Sequence, residues 1–281
     1  MARKNALHRI FNLVCDMSPS VKRLVWSVWY WYVSGLDKDV NMTFMNYGYA
    51  EINPNAKNIK LKGADEKNRY CIQLYRHVAN AINLDGLNVL EVGCGRGGGS
   101  SYVMRYLKPQ AMDGVDFSNK AIEFCKKHYP DKGLSFYAGD AELLPFENNK
   151  FDVMINIESS HCYARMEQFL REVFRILNTK GYFLFADFRN KNEIDSLRKQ
   201  LKHSGLKLIK EENITQNVLK SLDMDNERKM RLIKQKVPKI LHKTFLQFAG
   251  IKGSEIYESF KTGERKYFNF VLQKKNILKF K

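Results

Sequence analysis

Apolar positions along the chain repeat with two periods. Short, mainly apolar runs recur at residues 87–92, 112–115, 134–138, 151–157 and 182–188, followed by a more polar one at 206–211. Runs of this length bounded by turn residues predict buried strands. Between them, apolar residues three and four apart predict helices over 67–83, 99–107, 119–128, 166–177 and 192–204; in the first, Cys71, Leu74, Tyr75, Val78 and Ile82 share a face. Strand and helix alternating at these lengths imply parallel strands joined by right-handed crossovers. The expected fold is therefore α/β, with a doubly wound, mostly parallel, Rossmann-like sheet.

Both ends depart from this rhythm. Residues 1–45 read as helical and aromatic-rich, and 43–58, TFMNYGYAEINPNAKN, as a loop broken by Gly, Pro and Asn. Residues 216–260 are helical in pattern with an interruption at Pro238, and KYFNFVLQ, 266–273, is a late strand. The chain divides into an N-terminal helical, aromatic lid segment (1–65), a core (66–215), a helical cap insertion (216–262) and a final core strand with a basic tail (263–281).

Charge adds a question about surfaces. The formal net charge of the 281-residue chain is +17, and residues 191–281 hold 22 Lys or Arg against 10 Asp or Glu. A solvated Lys-rich surface and a surface for anionic partners both fit. The lysines scatter and no nucleic-acid module is present, so nucleic acid is not the expected partner. Five widely spaced cysteines without a C-x-x-C pair argue against a disulfide frame or zinc site and for a reduced, cytoplasmic setting. The apolar core of 21–36, VKRLVWSVWYWYVSGL, is too short for a bilayer, which needs roughly 20 residues. Its Trp and Tyr, with Lys22 and Arg23 at the start, fit a helix in a membrane interface, a helix over an apolar pocket, or a core helix.

The chemistry concentrates in VLEVGCGRGGGSSYV, 89–103. Gly93, Gly95 and Gly98 form G-x-G-x-x-G after a strand, where glycine lets the backbone approach a ligand and the next helix presents amide N–H groups. Alone, this also fits a dinucleotide site. Three acids narrow it. Glu91 lies inside the strand end; Asp116 ends the next strand, where a carboxylate accepts from a ribose diol; Asp140 follows the third, where it accepts from an exocyclic amine while the Ala141 amide donates to a ring nitrogen. Such a set describes a pocket for adenosine with an amino-acid tail.

These residues, in LEVGCGRGGG, GVDFS, GDAELLPF and FDVMINIESSHCY, resemble the class I methyltransferases that depend on S-adenosyl-L-methionine (SAM). The resemblance implies seven strands and SAM as cofactor. Glu91 would meet the amino end of the methionine moiety, Gly93 and Gly95 would make room for it, and Asp116 would hold the ribose. Asp140 and Ala141 would hold adenine, and Phe117 and Leu143 would flank the ring. MNYGY, ESSHCY and ADFR resemble the small-molecule O-methyltransferases, in particular the phthiotriol/phenolphthiotriol dimycocerosate branch. In that group an aromatic-glycine segment closes over the site, a part that falls to Tyr47 and Tyr49, with Glu158 beside the cofactor.

An alcohol or phenol acceptor benefits from a base, and histidine suits neutral pH. His161 follows the fourth strand and Asp187 lies near the end of the fifth, where neighbouring ends meet. A carboxylate there would fix the imidazole tautomer, and the two match the acid–base pair of related O-methyltransferases. Apolar residues of the cap, including Leu219, Leu222, Met230 and Phe245, either wall a hydrophobic acceptor site or cover one another. The expected reaction is methyl transfer to a hydroxyl of a hydrophobic small molecule, with lipid C-methylation or cyclopropanation as the alternative and a basic nucleic-acid methyltransferase as the rival of another class. No metal-ligand cluster is evident, and acceptor identity and oligomeric state stay open.

Overall fold

The structure is a computed structural model that describes Val21, residues 42–53, Asn55 and residues 59–275. Apart from Val21, the Trp-rich segment 21–36 and its expected membrane contact lie outside the described residues. Residues 42–45, at the end of the expected helical region, are extended coil.

The elements run α1 (Arg69–Ala79), β1 (Asn88–Val92), α2 (Gly98–Leu107), β2 (Ala111–Asp116), α3 (Asn119–His128), β3 (Leu134–Ala138), β4 (Phe151–Ile157), α4 (Met166–Ile176), β5 (Leu177–Asn190), α5 (Ile194–His203), β6 (Leu206–Asn213), α6 (Thr215–Lys236), α7 (His242–Phe248), α8 (Glu255–Thr262) and β7 (Arg265–Lys274). The seven strands form one sheet in the order β3-β2-β1-β4-β5-β7-β6. β7 runs antiparallel to the other strands of the sheet, pairing with β5 and β6. The strand order reverses between β1 and β4, and in such sheets ligands bind beyond the carboxyl ends at that point.

The pleat sorts side chains between two cores. Val153 and Ile155 of β4 and Leu184 and Ala186 of β5 face α1, α2 and α3 together with the cap helices α6 and α8. Met154, Phe183 and Phe185, one residue out of phase, face α4 and α5. Both faces being covered there, β4 and residues 183–187 of β5 are buried at nearly every position, whereas the edge strands β3 and β6 are largely exposed. The helix stripes match: Phe169, Leu170, Val173 and Ile176 of α4 are all buried, each such side chain contributing about 1.5–3 kcal/mol of hydrophobic stabilisation.

Differences from the sequence pattern have local causes. The helix expected at 67–83 starts at Arg69 after a 3-10 turn, Gly63–Asn68, and stops at Ala79. The strand expected from 182 starts at Leu177, which pairs with Phe151. The register then shifts, Lys180 takes φ of +65°, and pairing resumes at Tyr182. The cap splits into three helices. Pro238 ends the first run, and Gly250 and Gly253, both at positive φ, separate α7 from α8, which Ser254 caps by accepting from the Tyr257 amide.

Candidate functional site

A cavity opens at the carboxyl ends of β1, β2 and β4. Gly93, Gly95, Asp116, Phe117, Asp140, Ala141 and Glu158 line it, joined by Tyr75, Ser159, Cys162 and Tyr163. Two glycines of the loop are required by the backbone. Gly93 has φ of +76° and its Cα abuts the Ser159 side chain, so a Cβ would collide with it. Gly95 has φ of +52°, and a Cβ there would come within 2.9 Å of Met45 Cε.

Asp116 ties the loop to β2. Its Oδ2 accepts from Gly95 N at 2.8 Å and its Oδ1 from Ser118 N at 2.9 Å. Burial raises its pKa, and these two backbone donors oppose that rise. The carboxylate is thus held rigidly on the cavity wall with lone pairs to spare for hydroxyl donors.

Glu91 stands elsewhere than the sequence suggested. It is 1% exposed and off the cavity wall. Tyr75 OH donates to its Oε1 at 2.5 Å, and the Ser100 hydroxyl to its Oε2. Burial raises its pKa to about 7 against these hydrogen bonds. Glu91 therefore holds Tyr75, which does line the cavity, and the first turn of α2.

The aromatic-glycine segment also needs correction. Its cavity-lining residues are Thr43, Phe44, Met45 and Asn46. Tyr47 is buried against Phe188 and Phe260, and Tyr49 stacks on His77 at 4.2 Å between ring centres. Neither ring reaches the cavity. Tyr47 contributes its main chain, whose N–H donates to Glu158 Oε1 at 2.8 Å. The same oxygen accepts from Tyr267 OH at 3.0 Å. Glu158 itself sits at φ of +47° on the end of β4. Burial raises its pKa to about 7, opposed by the Tyr47 amide, and the Asp187 charge raises it further. Leu143, expected beside adenine, is 74% exposed and absent from the wall, because the Asp140–Leu143 turn points it outward.

His161 and Asp187 are brought together. The Asp187 side chain is fully buried at the end of β5, and its Oδ1 accepts from His161 Nδ1 at 2.9 Å. Its Oδ2 accepts from Ser160 Oγ at 2.7 Å and pairs with Arg189 Nη1 at 3.0 Å. Burial would raise the Asp187 pKa, but the His161 and Arg189 charges hold it well below the ordinary carboxylate range. Burial would likewise lower the imidazole pKa; the Cys162 sulfur and the Asp187 carboxylate outweigh it and raise it. The imidazole packs against Phe188, beside rather than within the wall that Ser159 and Cys162 form.

Ser160 and Arg189 around Asp187, Tyr75 beneath the loop and Tyr267 beside Glu158 were not singled out in the sequence. The tyrosines sit on apolar stripes that read as core, and their hydroxyl partners lie 16 and 109 residues away.

The residue set fits SAM: a carboxylate at the end of β2, the Gly93–Gly95 main chain on the cavity wall, and Asp140 with Ala141 beyond the third strand. Comparison with known proteins agrees. A family model described as a methyltransferase domain matches residues 83–258. The phthiotriol/phenolphthiotriol dimycocerosates methyltransferase of Mycobacterium tuberculosis is 37% identical over 251 residues, 89% of this chain and 92% of that one. The fatty-acid O-methyltransferase of Mycolicibacterium smegmatis is 38% identical over 212 residues, 75% and 77% of the two chains. Among solved structures, the [4+2]-cyclase SpnF superposes with a TM-score of 0.65 at 17% identity, over 89% of this chain and 94% of that one, which speaks for the fold alone. With the family model spanning well over half its length and close relatives covering most of it, the chain belongs to the methyltransferase-domain family.

Proposed function

We propose that the protein transfers a methyl group from SAM to a hydroxyl of a hydrophobic small molecule, a lipid or a polyketide-like alcohol or phenol. The observation that carries this reading is the buried Asp187 carboxylate bound to His161 Nδ1 at the rim of the cavity. That bond sets the imidazole tautomer, so Nε2 is the nitrogen that takes a proton from an acceptor hydroxyl. A relative named a phthiotriol/phenolphthiotriol dimycocerosates methyltransferase and one named a fatty-acid O-methyltransferase support the acceptor class.

SAM supplies an activated methyl group, so the chain's task is binding and alignment. Asp116 takes the ribose hydroxyls, while Asp140 and the Ala141 amide take the adenine edge. The Gly93–Gly95 turn leaves space for the methionine portion, and Tyr75, steadied by Glu91, borders it. Glu158 fastens residues 43–47 over the cavity and keeps water out. In this scheme the cap, 216–262, and the N-terminal segment, 1–65, select the acceptor, and residues 21–36 contact a membrane interface from a cytoplasmic setting. Among the described residues no helix is long and apolar enough to cross a membrane.

The test is incubation with methyl-labelled SAM and a panel of long-chain and short hydrophilic alcohols, with NMR of the product carbon. A methoxy signal confined to the long-chain members is expected. A new carbon–carbon methyl or a cyclopropane signal, or equal turnover of short hydrophilic alcohols, counts against it.

A further inference from the structure

The cap carries a charge pattern that the methyl-transfer site does not use. Between Glu227 and Glu255 the chain has eight Lys or Arg residues and no Asp or Glu. Three of the eight are engaged in the cap's own packing: Arg228 pairs with Asp225, Lys252 with Asp223, and Lys229 lies over the Tyr47 ring. Arg231, Lys234, Lys239 and Lys243 are exposed, and among the described residues they form no ion pair. Lys234, Lys239 and Lys243 fall within ten residues, around the turn from α6 to α7.

That turn is firmly built. Ile233, Val237, Phe245 and Ile251 pack beneath it, His242 Nε2 donates to Val237 O at 2.8 Å, and Leu241 N donates to Pro238 O at 2.9 Å. Yet its central residue, Ile240, is 86% exposed, more than any other large hydrophobic residue among those described. Pro238 beside it is exposed too. An ordered turn that ignores a ready apolar cluster and points an isoleucine outward, ringed by lysines, has the chemistry of a membrane-surface anchor. The isoleucine enters the acyl boundary while the lysine ammonium groups stay at the level of anionic headgroups. Nucleic acid fits less well, because the tip offers no aromatic ring for base stacking and its cations are lysines rather than planar guanidinium groups.

We infer that the α6–α7 turn, with Ile240 at its tip and Lys234, Lys239 and Lys243 around it, docks the protein on anionic phospholipid membranes. The cap that bears this turn also packs on the segment lining the cofactor cavity: Ser221 Oγ and Lys229 Nζ both donate to Tyr47 O. The inference stands on the cap's own residues whatever the acceptor proves to be.

The test is flotation of the full-length protein with vesicles of phosphatidylcholine alone and of phosphatidylcholine mixed with phosphatidylglycerol. Binding to the anionic vesicles, weakened by salt, is expected, with each Lys→Ala change at 234, 239 or 243 lowering affinity roughly fivefold. Ile240→Asp should lower it at least tenfold. Both sets of variants should keep wild-type SAM affinity by calorimetry, which separates docking from folding and from the methyl-transfer reading. Equal binding to neutral vesicles overturns the inference. So does unchanged binding in the Ile240 and triple-lysine variants, including the case where only changes within 21–36 abolish it. Tighter binding to single-stranded RNA than to anionic vesicles overturns it as well.

Discussion

Asp187 holds His161 at two points: Oδ1 takes the imidazole Nδ1 and Oδ2 takes the His161 main-chain N–H, each at 2.9 Å. Side chain and backbone of the histidine are therefore fixed by one buried carboxylate, as the proposed base role requires. His161→Ala is expected to leave SAM affinity within about twofold of wild type and to lower kcat by roughly 10²- to 10⁴-fold, the range of a general base. Calorimetry and steady-state turnover check the two halves independently.

The same pair sets a pH profile. Catalysis by a neutral imidazole should fall as pH drops through the raised His161 pKa, placing the acidic limb above an ordinary histidine's. Asp187→Asn removes the negative charge and should move that limb to lower pH while reducing the maximum rate. The stability linkage runs both ways. The histidine's contribution is complete below its unfolded pKa and is lost as pH rises through the raised folded value. The contribution of Asp187, whose pKa is depressed, is present above the ordinary carboxylate range and lost in strong acid. Denaturant midpoints across pH should show the Asp187→Asn defect greatest between those limits.

Asp116 and Gly95 are one unit, since the carboxylate accepts the Gly95 amide. Asp116→Ala removes the diol acceptor and unties the loop. Gly95→Val imposes a β-branched side chain at positive φ against Met45. Each should weaken SAM binding by at least roughly 100-fold, near 3 kcal/mol. Wild-type affinity in either variant, measured by calorimetry, would contradict the pocket described here.

The centre of the sheet was legible because β4 and β5 are covered on both faces and so show as mainly apolar runs. Asp116 and Asp140 were legible because strand-end acids follow such runs directly. Which ring of the MNYGY segment meets the cavity was not legible: in a coil, neither period 2 nor period 3.6 says which way a side chain points. Thus Met45 and Asn46 line the cavity while Tyr47 and Tyr49 turn to the core. Glu91 was assigned to the ligand because its partners, Tyr75 and Ser100, lie on two different helices that only the fold brings together.

Glu91 accordingly becomes a prediction about stability. Glu91→Ala leaves the Tyr75 and Ser100 hydroxyls without a buried acceptor. Each unmet group costs about 1–3 kcal/mol, so urea unfolding should show a loss of several kcal/mol. Glu91→Gln keeps an acceptor for one hydroxyl and should lose less than half as much. Equal defects in the two variants would mean that volume, rather than hydrogen bonding, matters there.

Glu158 offers the sharpest link between charge and cofactor. Its carboxyl titrates near 7 and borders the cavity, with Oε1 bound by Tyr47 N and Tyr267 OH. A cation entering the cavity favours the ionised form, so binding of the sulfonium should release protons, and affinity should rise with pH through about 7. Calorimetry in buffers of different ionisation enthalpy reads that release directly. S-adenosylhomocysteine, whose sulfur is neutral, should show a flatter profile, and Glu158→Gln should flatten the SAM profile towards it. Tyr267→Phe removes a hydrogen bond that favours the carboxylate. It should therefore shift the SAM profile to higher pH without abolishing binding, which a purely structural role for the Tyr267 ring would not do.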